Sequence, residues 1–213
     1  MKPLIGIITR EDINETGKDI YLLYKSVTEA ISLYNCIPLG IVPLYDIKDT
    51  YKLINLCDGI ILQGGSDVLN SDIEIVKYIH DKDIPVLGIC LGMQSMNVAM
   101  GAVMDDLPNN KHLSNNKYVH DMKLIKNTKF YNIIKKSNLK VNSRHKSYIK
   151  KTPLIISGYS DVIEVTEDPL KKFFIGVQYH IEDMLSYDKE ENKIFKYFID
   201  VCKEYMYEFK TNK

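Results

Sequence analysis

The first half of the chain alternates short apolar segments with segments of helical periodicity, and no other feature limits its possible folds as strongly. Apolar segments that predict buried strands lie at residues 4–9, 37–42, 59–62 and 85–89. Segments with helical periodicity lie at 21–33, 73–80 and 91–100. Strands that alternate with helices are typical of a parallel sheet covered by helices on both faces. The sequence therefore predicts an α/β fold.

The second half of the chain predicts a small antiparallel β segment. Further strands are expected at 119–125, 139–141 and 173–179, with a hairpin formed by 155–160 and 162–166. A short helix is expected at 130–136, a closing helix at 188–209 and an exposed polar loop at 109–117. Because we find neither a repeat nor a linker, we expect a single domain over residues 1–213.

Composition excludes several classes of function. The chain has 28 basic and 28 acidic residues, whereas a general nucleic-acid binder carries a basic excess. No apolar stretch approaches the length of a membrane span. The four cysteines are not spaced like metal ligands, and we find no export signal, so we expect reduced thiols and a cytoplasmic protein.

One cysteine lies where a predicted strand meets a predicted helix. Cys90 follows the apolar segment 85–89 and is flanked by Gly88 and Gly92, which is the pattern of a nucleophile elbow. A helix N-terminus favours the thiolate over the thiol, and the N–H group of Leu91 could stabilise an oxyanion there. We interpret Cys90 as a nucleophile and the other three cysteines as core residues.

Two successive glycines, Gly64 and Gly65, follow the strand at 59–62, one β–α unit before Cys90. Glycines let backbone N–H groups face a ligand without obstruction by side chains. In a parallel sheet this loop would open at the carboxyl edge, where ligands bind.

A candidate base ends the apolar segment 173–179. His180 is followed two residues later by Glu182, and residues i and i+2 of an extended segment point to the same side. The carboxylate could then hold one imidazole nitrogen, as the third member of a triad does. Asp183 is a competing orienter.

The other four histidines are assigned from their local sequence. His80, at a predicted helix end, and His112, in the polar loop, are expected to be exposed to solvent. His120 is expected to form a structural pair with Asp121 or to line a cleft. His145 follows the strand at 139–141 and is a pocket candidate.

Together these motifs resemble the class I glutamine amidotransferase superfamily, and in particular its peptidase C26 branch of γ-glutamyl-γ-aminobutyrate hydrolase-like proteins. The resemblance covers nearly the whole chain and is carried by the segments at residues 3–7, 64–67, 88–94, 141–143 and 176–182. It implies a three-layer sandwich with a mostly parallel central sheet of flavodoxin-like topology.

The resemblance also implies roles for individual residues. Cys90 would form a γ-glutamyl thioester, His180 would carry the proton and Glu182 would orient His180. The N–H groups of Gly65 and Leu91 would form the oxyanion hole. The residues implied to bind the substrate are Gly64, Gln94, Ser143 and His145. No metal and no organic cofactor is implied.

The chain departs from the family pattern at four points. Ile181 replaces a usual proline, Leu91 replaces an arginine common in C26 hydrolases, and Ser147 replaces a glutamine. Fewer residues than usual separate Gly65 from Cys90. The shorter segment could change the pocket wall and with it the specificity.

Two enzymatic functions follow from these observations. One is a stand-alone hydrolase of a γ-glutamyl amide, such as glutamine or γ-glutamyl-γ-aminobutyrate. The alternative is a glutaminase subunit that delivers ammonia to a separate synthetase. Expected partners are the small-molecule substrate and, in the second case, the synthetase. Nucleic acid and membranes are not expected, and a homodimer is left open. A scaffold used only for binding is disfavoured because every triad candidate is present.

Overall fold

The structure of the protein, a computed structural model, describes residues 1–210 and only the backbone of Lys210. The helices are α1 (Lys25–Leu33), α2 (Ile47–Ile54), α3 (Asn70–Asp81), α4 (Leu91–Ala99), α5 (Lys129–Ile134) and α6 (Lys189–Lys210). The strands are β1 (Leu4–Ile8), β2 (Arg10–Ile13), β3 (Asp19–Leu22), β4 (Ile37–Ile41), β5 (Gly59–Leu62), β6 (Val86–Ile89), β7 (Val103–Asp106), β8 (Leu113–Ser114), β9 (His120–Leu124), β10 (Asn138–Val141), β11 (Ser143–Arg144), β12 (Ser147–Lys151), β13 (Ile155–Tyr159), β14 (Ile163–Glu167) and β15 (Phe174–Val177).

A nine-stranded mixed sheet forms the centre of the fold, in the order β10-β9-β13-β14-β15-β6-β5-β1-β4. The five strands from β15 to β4 pair in parallel, and the other four extend the sheet with antiparallel pairs. The predicted α/β class and the predicted antiparallel strands in the second half are both confirmed. β6 and β15 lie side by side, so the segments that follow them meet at one edge of the sheet.

Two apolar clusters show that helices cover both faces of the sheet. Successive residues of one strand enter different clusters: Ile7 belongs to the cluster that contains residues of α1, α5 and α6, whereas Ile8 belongs to the cluster that contains residues of α2, α3 and α4. Successive side chains of a strand point to opposite faces, so the two clusters fill the two helix–sheet layers. The expected three-layer sandwich is therefore present.

Several local predictions were wrong. The helix predicted from residue 21 begins at Lys25, because Asp19–Leu22 pairs with Arg10–Ile13 as a hairpin. The side chain of Gln63 accepts a hydrogen bond from the N–H of Tyr24 and donates one to the carbonyl of Leu22, which holds the chain extended there. Helix α2 was missed, and Asp46 caps its N-terminus by accepting from the N–H of Lys48.

The two histidines expected to be exposed to solvent both contact other residues instead. His112 is buried, with 1% of its surface exposed, because the loop that contains it folds back and β8 pairs with β11. His80 is half-buried, with its Nε2 atom 2.8 Å from Asp168 Oδ2. Sequence polarity predicted exposure, but both imidazoles have local partners.

A buried carboxyl near the start of α6 makes stability depend on pH. Glu191 is fully buried and its Oε2 accepts a hydrogen bond of 2.8 Å from the hydroxyl of Tyr179. Its Oε1 has no hydrogen-bond partner among the described residues. Burial raises the pKa of Glu191 to about 8, because the carboxylate would lose its hydration.

We expect Glu191→Gln to be more stable than the wild type at neutral pH. In the unfolded chain the carboxyl ionises near its ordinary pKa of 4.5, whereas the folded chain keeps the proton up to about pH 8. Wild-type stability therefore falls as pH rises across this interval, by an amount on the order of 3 kcal/mol at pH 7. Urea unfolding at pH 4.5 and pH 8 measures the difference between the two proteins. A gap that does not widen with pH would contradict the assignment.

Candidate active site

Cys90 occupies a strained turn between β6 and α4. Its backbone has φ +52° and ψ −107°, in a region that favours glycine, and its N–H donates a 2.8 Å hydrogen bond to the carbonyl of Val177 on β15. Cys90 caps the N-terminus of α4, so free N–H groups and the positive end of the helix dipole lie beside its sulfur. The side chain is 6% exposed. These features are those of a nucleophile elbow.

The glycines on either side of Cys90 are required by close packing. A Cβ on Gly92 would overlap the carbonyl oxygen of Leu62, at the end of β5. A Cβ on Gly88 would overlap the sulfur of Met96. The predicted reason for these glycines is confirmed, since the turn has no space for side chains at either position.

We expect Gly92→Ala to destabilise the protein by about 2 kcal/mol or more, because backbone atoms cannot yield as a flexible side chain can. Gly40→Ala is the matched control: a Cβ there would lie 3.4 Å from Leu23 Cδ2, an ordinary contact. Thermal unfolding of the two variants compares them directly. Equal melting temperatures would show that the turn relaxes around the added methyl group.

His180 and Glu182 form a hydrogen-bonded pair across a turn. The His180 Nδ1 atom lies 2.9 Å from Glu182 Oε1, and the carboxylate is buried. The predicted contact is present, but the extended geometry invoked for it is not: Ile181–Asp183 is a short 3₁₀ helix. The competing carboxylate, Asp183, is paired with Arg144.

A side chain outside the predicted set fixes the backbone of His180. Asn142 Nδ2 donates to the carbonyl of His180 at 2.8 Å, and the N–H of His180 donates to Asn142 Oδ1, also at 2.8 Å. Asn142 is 2% exposed. Two bonds from one amide allow little rotation of the His180 peptide, which indicates a positioning residue. The sequence contained one signal for the role of Asn142, which is its position in the Val-Asn-Ser segment at residues 141–143.

The pair holds His180 in its charged form. Burial alone would lower the pKa of His180, but the Glu182 carboxylate and the Cys90 side chain outweigh it and raise the pKa to about 10. A hydrogen bond between His180 and Cys90 contributes to this shift. Because Nδ1 is held by Glu182, the Nε2 atom is left for the sulfur. At neutral pH this site contains an imidazolium beside a cysteine.

A chain of two glutamines also reaches the sulfur. Gln178 Nε2 donates to Cys90 Sγ at 3.7 Å, and Gln94 Nε2 donates to Gln178 Oε1 at 3.2 Å. Gln94 also donates to the carbonyl of Ser147 at 3.0 Å. Gln178 was not predicted as a site residue, although it lies in the strand that leads to His180.

The loop with the two glycines lies against this site. A Cβ on Gly64 would stand 3.1 Å from His180 Cε1, and one on Gly65 would stand 2.8 Å from Leu91 Cδ2. The loop is held from behind by Arg10, whose Nε and Nη2 atoms donate to the carbonyl of Gln63 at 3.1 and 2.8 Å. The expected proximity of Gly64 and Gly65 to the cysteine is present.

Two cavities meet at Cys90. The smaller, of about 370 Å³, is lined by Tyr24, Gly65, Cys90, Arg144, His180 and Glu182, among others. The larger, of about 590 Å³, is lined by Gly65, Cys90, Gln94, Arg144, His145 and Lys146, among others. Cys90, Gly65 and Arg144 line both cavities. The basic side chains Arg144 and Lys146 were not predicted as site residues.

The residues expected to bind substrate differ in where they lie. Gln94 and His145 line the larger cavity. Ser143 is fully buried and is not among the residues that line either cavity. Its hydroxyl lies 3.1 Å from His112 Nδ1. Alternation along the strand β11 explains this, because Ser143 and Arg144 point to opposite faces.

Within residues 1–210, two groups of side chains could hold a metal ion. One consists of His180, Glu182 and Asp183. In this group His180 contacts Cys90 and Glu182, and Asp183 is paired with Arg144. The other consists of His112, His120 and Glu164. In each group the candidate ligand atoms lie within 4.8 Å of one another.

Fold and site together define a class I glutamine amidotransferase-like protein. Two solved structures share the fold: the glutaminase domain of Trypanosoma brucei CTPS with bound acivicin, and a glutamine amido transferase from Methylobacillus flagellatus. The first has a TM-score of 0.74 and 18% identity and covers 95% of this chain and 94% of that one. The second has a TM-score of 0.62 and 14% identity and covers 97% and 94%.

The chain belongs to the peptidase C26 family, whose model matches residues 69–182, more than half of the chain. Among curated proteins, the CTP synthase of Lactobacillus helveticus is 30% identical over 88% of this chain and 43% of its own length. That of Pyrococcus abyssi is 28% identical over 89% of this chain and 43% of its own length. The chain thus spans less than half the length of these relatives. None of the helices within residues 1–210 is long and apolar enough to cross a membrane.

Proposed function

We propose that the chain hydrolyses the side-chain amide of a γ-glutamyl compound, with glutamine as the first candidate substrate, through a thioester on Cys90. The observation that carries the proposal is the arrangement around the sulfur: a cysteine in a strained elbow, an imidazolium beside it and a buried carboxylate behind the imidazolium. Nucleophile, base and orienter in this order form a triad.

In the first half of the reaction, Cys90 Sγ attacks the carbonyl carbon of the amide. The carbonyl oxygen becomes an oxyanion, for which the N–H groups of Gly65 and Leu91 are the proposed donors. His180 gives its Nε2 proton to the nitrogen of the leaving amine as the C–N bond breaks. The products are the amine, which is ammonia if the substrate is glutamine, and a γ-glutamyl thioester.

In the second half, His180 takes a proton from a water molecule, and the hydroxide formed attacks the thioester carbonyl. The C–S bond breaks, and glutamate leaves. Glu182 stabilises each imidazolium, while Asn142 keeps the imidazole in place.

The cavities contain side chains of both signs, which suits a glutamyl substrate with its α-ammonium and α-carboxylate groups: Asp67 and Asp106 line the larger cavity beside the basic residues. Arg144, which lines both cavities, and Lys146, which lines the larger, offer cations to a carboxylate. Gln94 and His145 add polar groups to the same wall. The substrate carboxylate would approach Arg144 in competition with Asp183, its present partner.

A second candidate function is supply of ammonia to a synthetase. Two observations favour it: the curated relatives are CTP synthases more than twice as long as the matched part, and the solved T. brucei structure with this fold is a glutaminase domain. In that case the cysteine chemistry is the same, and the ammonia passes to an acceptor on another domain or chain.

The test is glutamate release from a panel of glutamine and γ-glutamyl amides by the purified chain without a partner. We expect release by the wild type and only uncatalysed background from Cys90→Ala, since removal of the nucleophile leaves no thioester route. The amide turned over fastest identifies the leaving amine. Equal release by both proteins would overturn the proposal.

A chain that releases nothing alone is distinguished by alkylation of Cys90 with iodoacetamide, followed by mass spectrometry. Fast, glutamine-protected alkylation at this cysteine would favour the partner-dependent glutaminase. Slow alkylation that glutamine does not affect would reject both candidate functions. Cys36 is the internal control, because burial raises the pKa of its thiol.

A further inference from the structure

A second buried group of titratable side chains borders the larger cavity through His145, whose ring centroid lies 4.7 Å from that of His112. His112 comes from the loop before β8, His120 from the first position of β9 and Glu164 from β14. One ligand atom from each lies within 4.8 Å of the others. His112 and Glu164 are 1% and 0% exposed. The spacing in the sequence gave no sign of this group, because three separate elements bring it together.

Two of the three side chains have a buried atom without a hydrogen-bond partner. Glu164 Oε2 and His120 Nε2 are buried and have no hydrogen bond to the described residues. His120 Nε2 lies 3.3 Å from the other carboxylate oxygen, Oε1, which already accepts from the hydroxyl of Ser160 at 2.8 Å. A buried polar atom without a partner costs about 1–3 kcal/mol, so two in one group need an explanation.

One nitrogen of each imidazole lies near an oxygen atom that could hold it in a metal site. His112 Nε2 lies 3.0 Å from Asp161 Oδ1, and His120 Nδ1 lies 3.4 Å from the carbonyl oxygen of Asp121. The remaining nitrogen of His112, Nδ1, lies 3.1 Å from the hydroxyl of Ser143, which an ion bound there would displace. Metal-binding histidines commonly give their second N–H to a carboxylate or a backbone carbonyl, which fixes the ring and the tautomer.

We propose that His112, His120 and Glu164 bind a divalent first-row transition ion, for which two imidazoles and one carboxylate are a suitable set of ligands. Zn²⁺ accepts this combination, with a water molecule in the fourth position. The ion would give Glu164 the positive charge that its buried carboxyl otherwise lacks. The alternative is a network of neutral side chains that excludes ions.

The consequence of metal binding is structural. His112 lies between Asn110 and Leu113, which line the larger cavity at Cys90, and its carbonyl accepts a hydrogen bond from the N–H of His145 at 3.2 Å. An ion shared by His112 and the sheet residues His120 and Glu164 would fasten this wall to the central sheet. The inference does not rest on the proposed hydrolysis, because no step of that reaction uses the ion.

The experiment uses the full chain with Cys90→Ala, so that the cysteine cannot capture metal, after treatment with EDTA. Zn²⁺ is added and the excess is removed by gel filtration. Bound zinc is then measured by inductively coupled plasma mass spectrometry. Titration calorimetry gives the affinity, and the visible spectrum after addition of Co²⁺ reports the geometry of the ligands. Glu164→Gln and His120→Gln are the ligand variants, and His80→Asn, which removes an imidazole elsewhere, is the matched control.

We expect one zinc per chain, a rise in melting temperature with zinc, and a loss of affinity of 100-fold or more in both ligand variants but not in His80→Asn. Glutamine at position 164 mimics the protonated acid, so this variant should fold. If it does not, His120→Gln decides, because this side chain is 18% exposed and lies at a strand end. No bound zinc, or zinc binding and a cobalt spectrum that both ligand variants retain, would overturn the proposal.

Discussion

Replacing Glu182 by glutamine is expected to lower glutamate release by about 10³–10⁴-fold, the size of effect seen when the third member of a triad loses its charge. The carboxylate is what keeps His180 charged in a buried site: burial lowers the pKa of His180, and Glu182 leads the effects that raise it. Without that charge the pKa of His180 should fall, which weakens the cationic neighbour of the cysteine. The measurement is kcat for the best amide of the panel.

The same variant should change how stability depends on pH. Because the pKa of His180 rises from 6.5 to about 10 on folding, its imidazolium stabilises the wild type fully below pH 6.5. This contribution is lost as pH rises from about 6.5 to about 10. Melting temperatures across this interval should therefore fall more steeply for the wild type than for Glu182→Gln. Parallel curves would show that Glu182 does not set the charge of His180.

Asp183→Asn is the matched control for the orienter. Asp183 lies one residue from Glu182, but its carboxylate is paired with Arg144, whereas His180 Nδ1 contacts Glu182. Iodoacetamide alkylation of the cysteine, which needs no substrate, should keep its wild-type pH dependence in Asp183→Asn and lose it in Glu182→Gln. The reverse result would assign the orienting role to Asp183.

Asp72→Asn is expected to destabilise the protein by about 3–5 kcal/mol, because it leaves a buried guanidinium without its counter-ion. Arg10 Nη1 lies 2.6 Å from Asp72 Oδ1, and the two side chains are only 5% and 3% exposed. Burial lowers the pKa of Arg10 and Asp72 opposes that shift. The second carboxylate oxygen accepts from the N–H of Leu69 at 3.0 Å, so the start of α3 is weakened as well.

This variant should also reduce catalysis, since Arg10 holds the carbonyl of Gln63 immediately before the two glycines. Urea unfolding gives the stability, and kcat at a temperature where the variant is folded gives the activity. The control is Glu29→Gln, which removes an exposed ion pair with Lys25 of 3.2 Å and should cost less than about 0.5 kcal/mol. Equal costs for the two variants would show that burial does not amplify the Arg10 pair.

The elbow, the buried strands and the closing helix could be predicted from the sequence because each depends on residues that are close together in the chain. The elbow needs small residues two positions before and after the cysteine, and short apolar segments predict buried strands. The closing helix follows from its periodicity for the same reason. The contact between His180 and Glu182 was also predicted, but by the wrong geometry, since a turn and not a strand brings these side chains together.

What the sequence determined by itself is the α/β class and the elbow, together with the pairing of a histidine and a carboxylate two residues apart. The tertiary structure alone decided which distant groups support them. Asn142 reaches His180 across 38 positions and Arg10 reaches Asp72 across 62, while His112, thought to be solvated, joins two sheet residues in the core. The physical reason is that a buried polar group takes whatever partner the packing brings, and packing is a property of the whole chain.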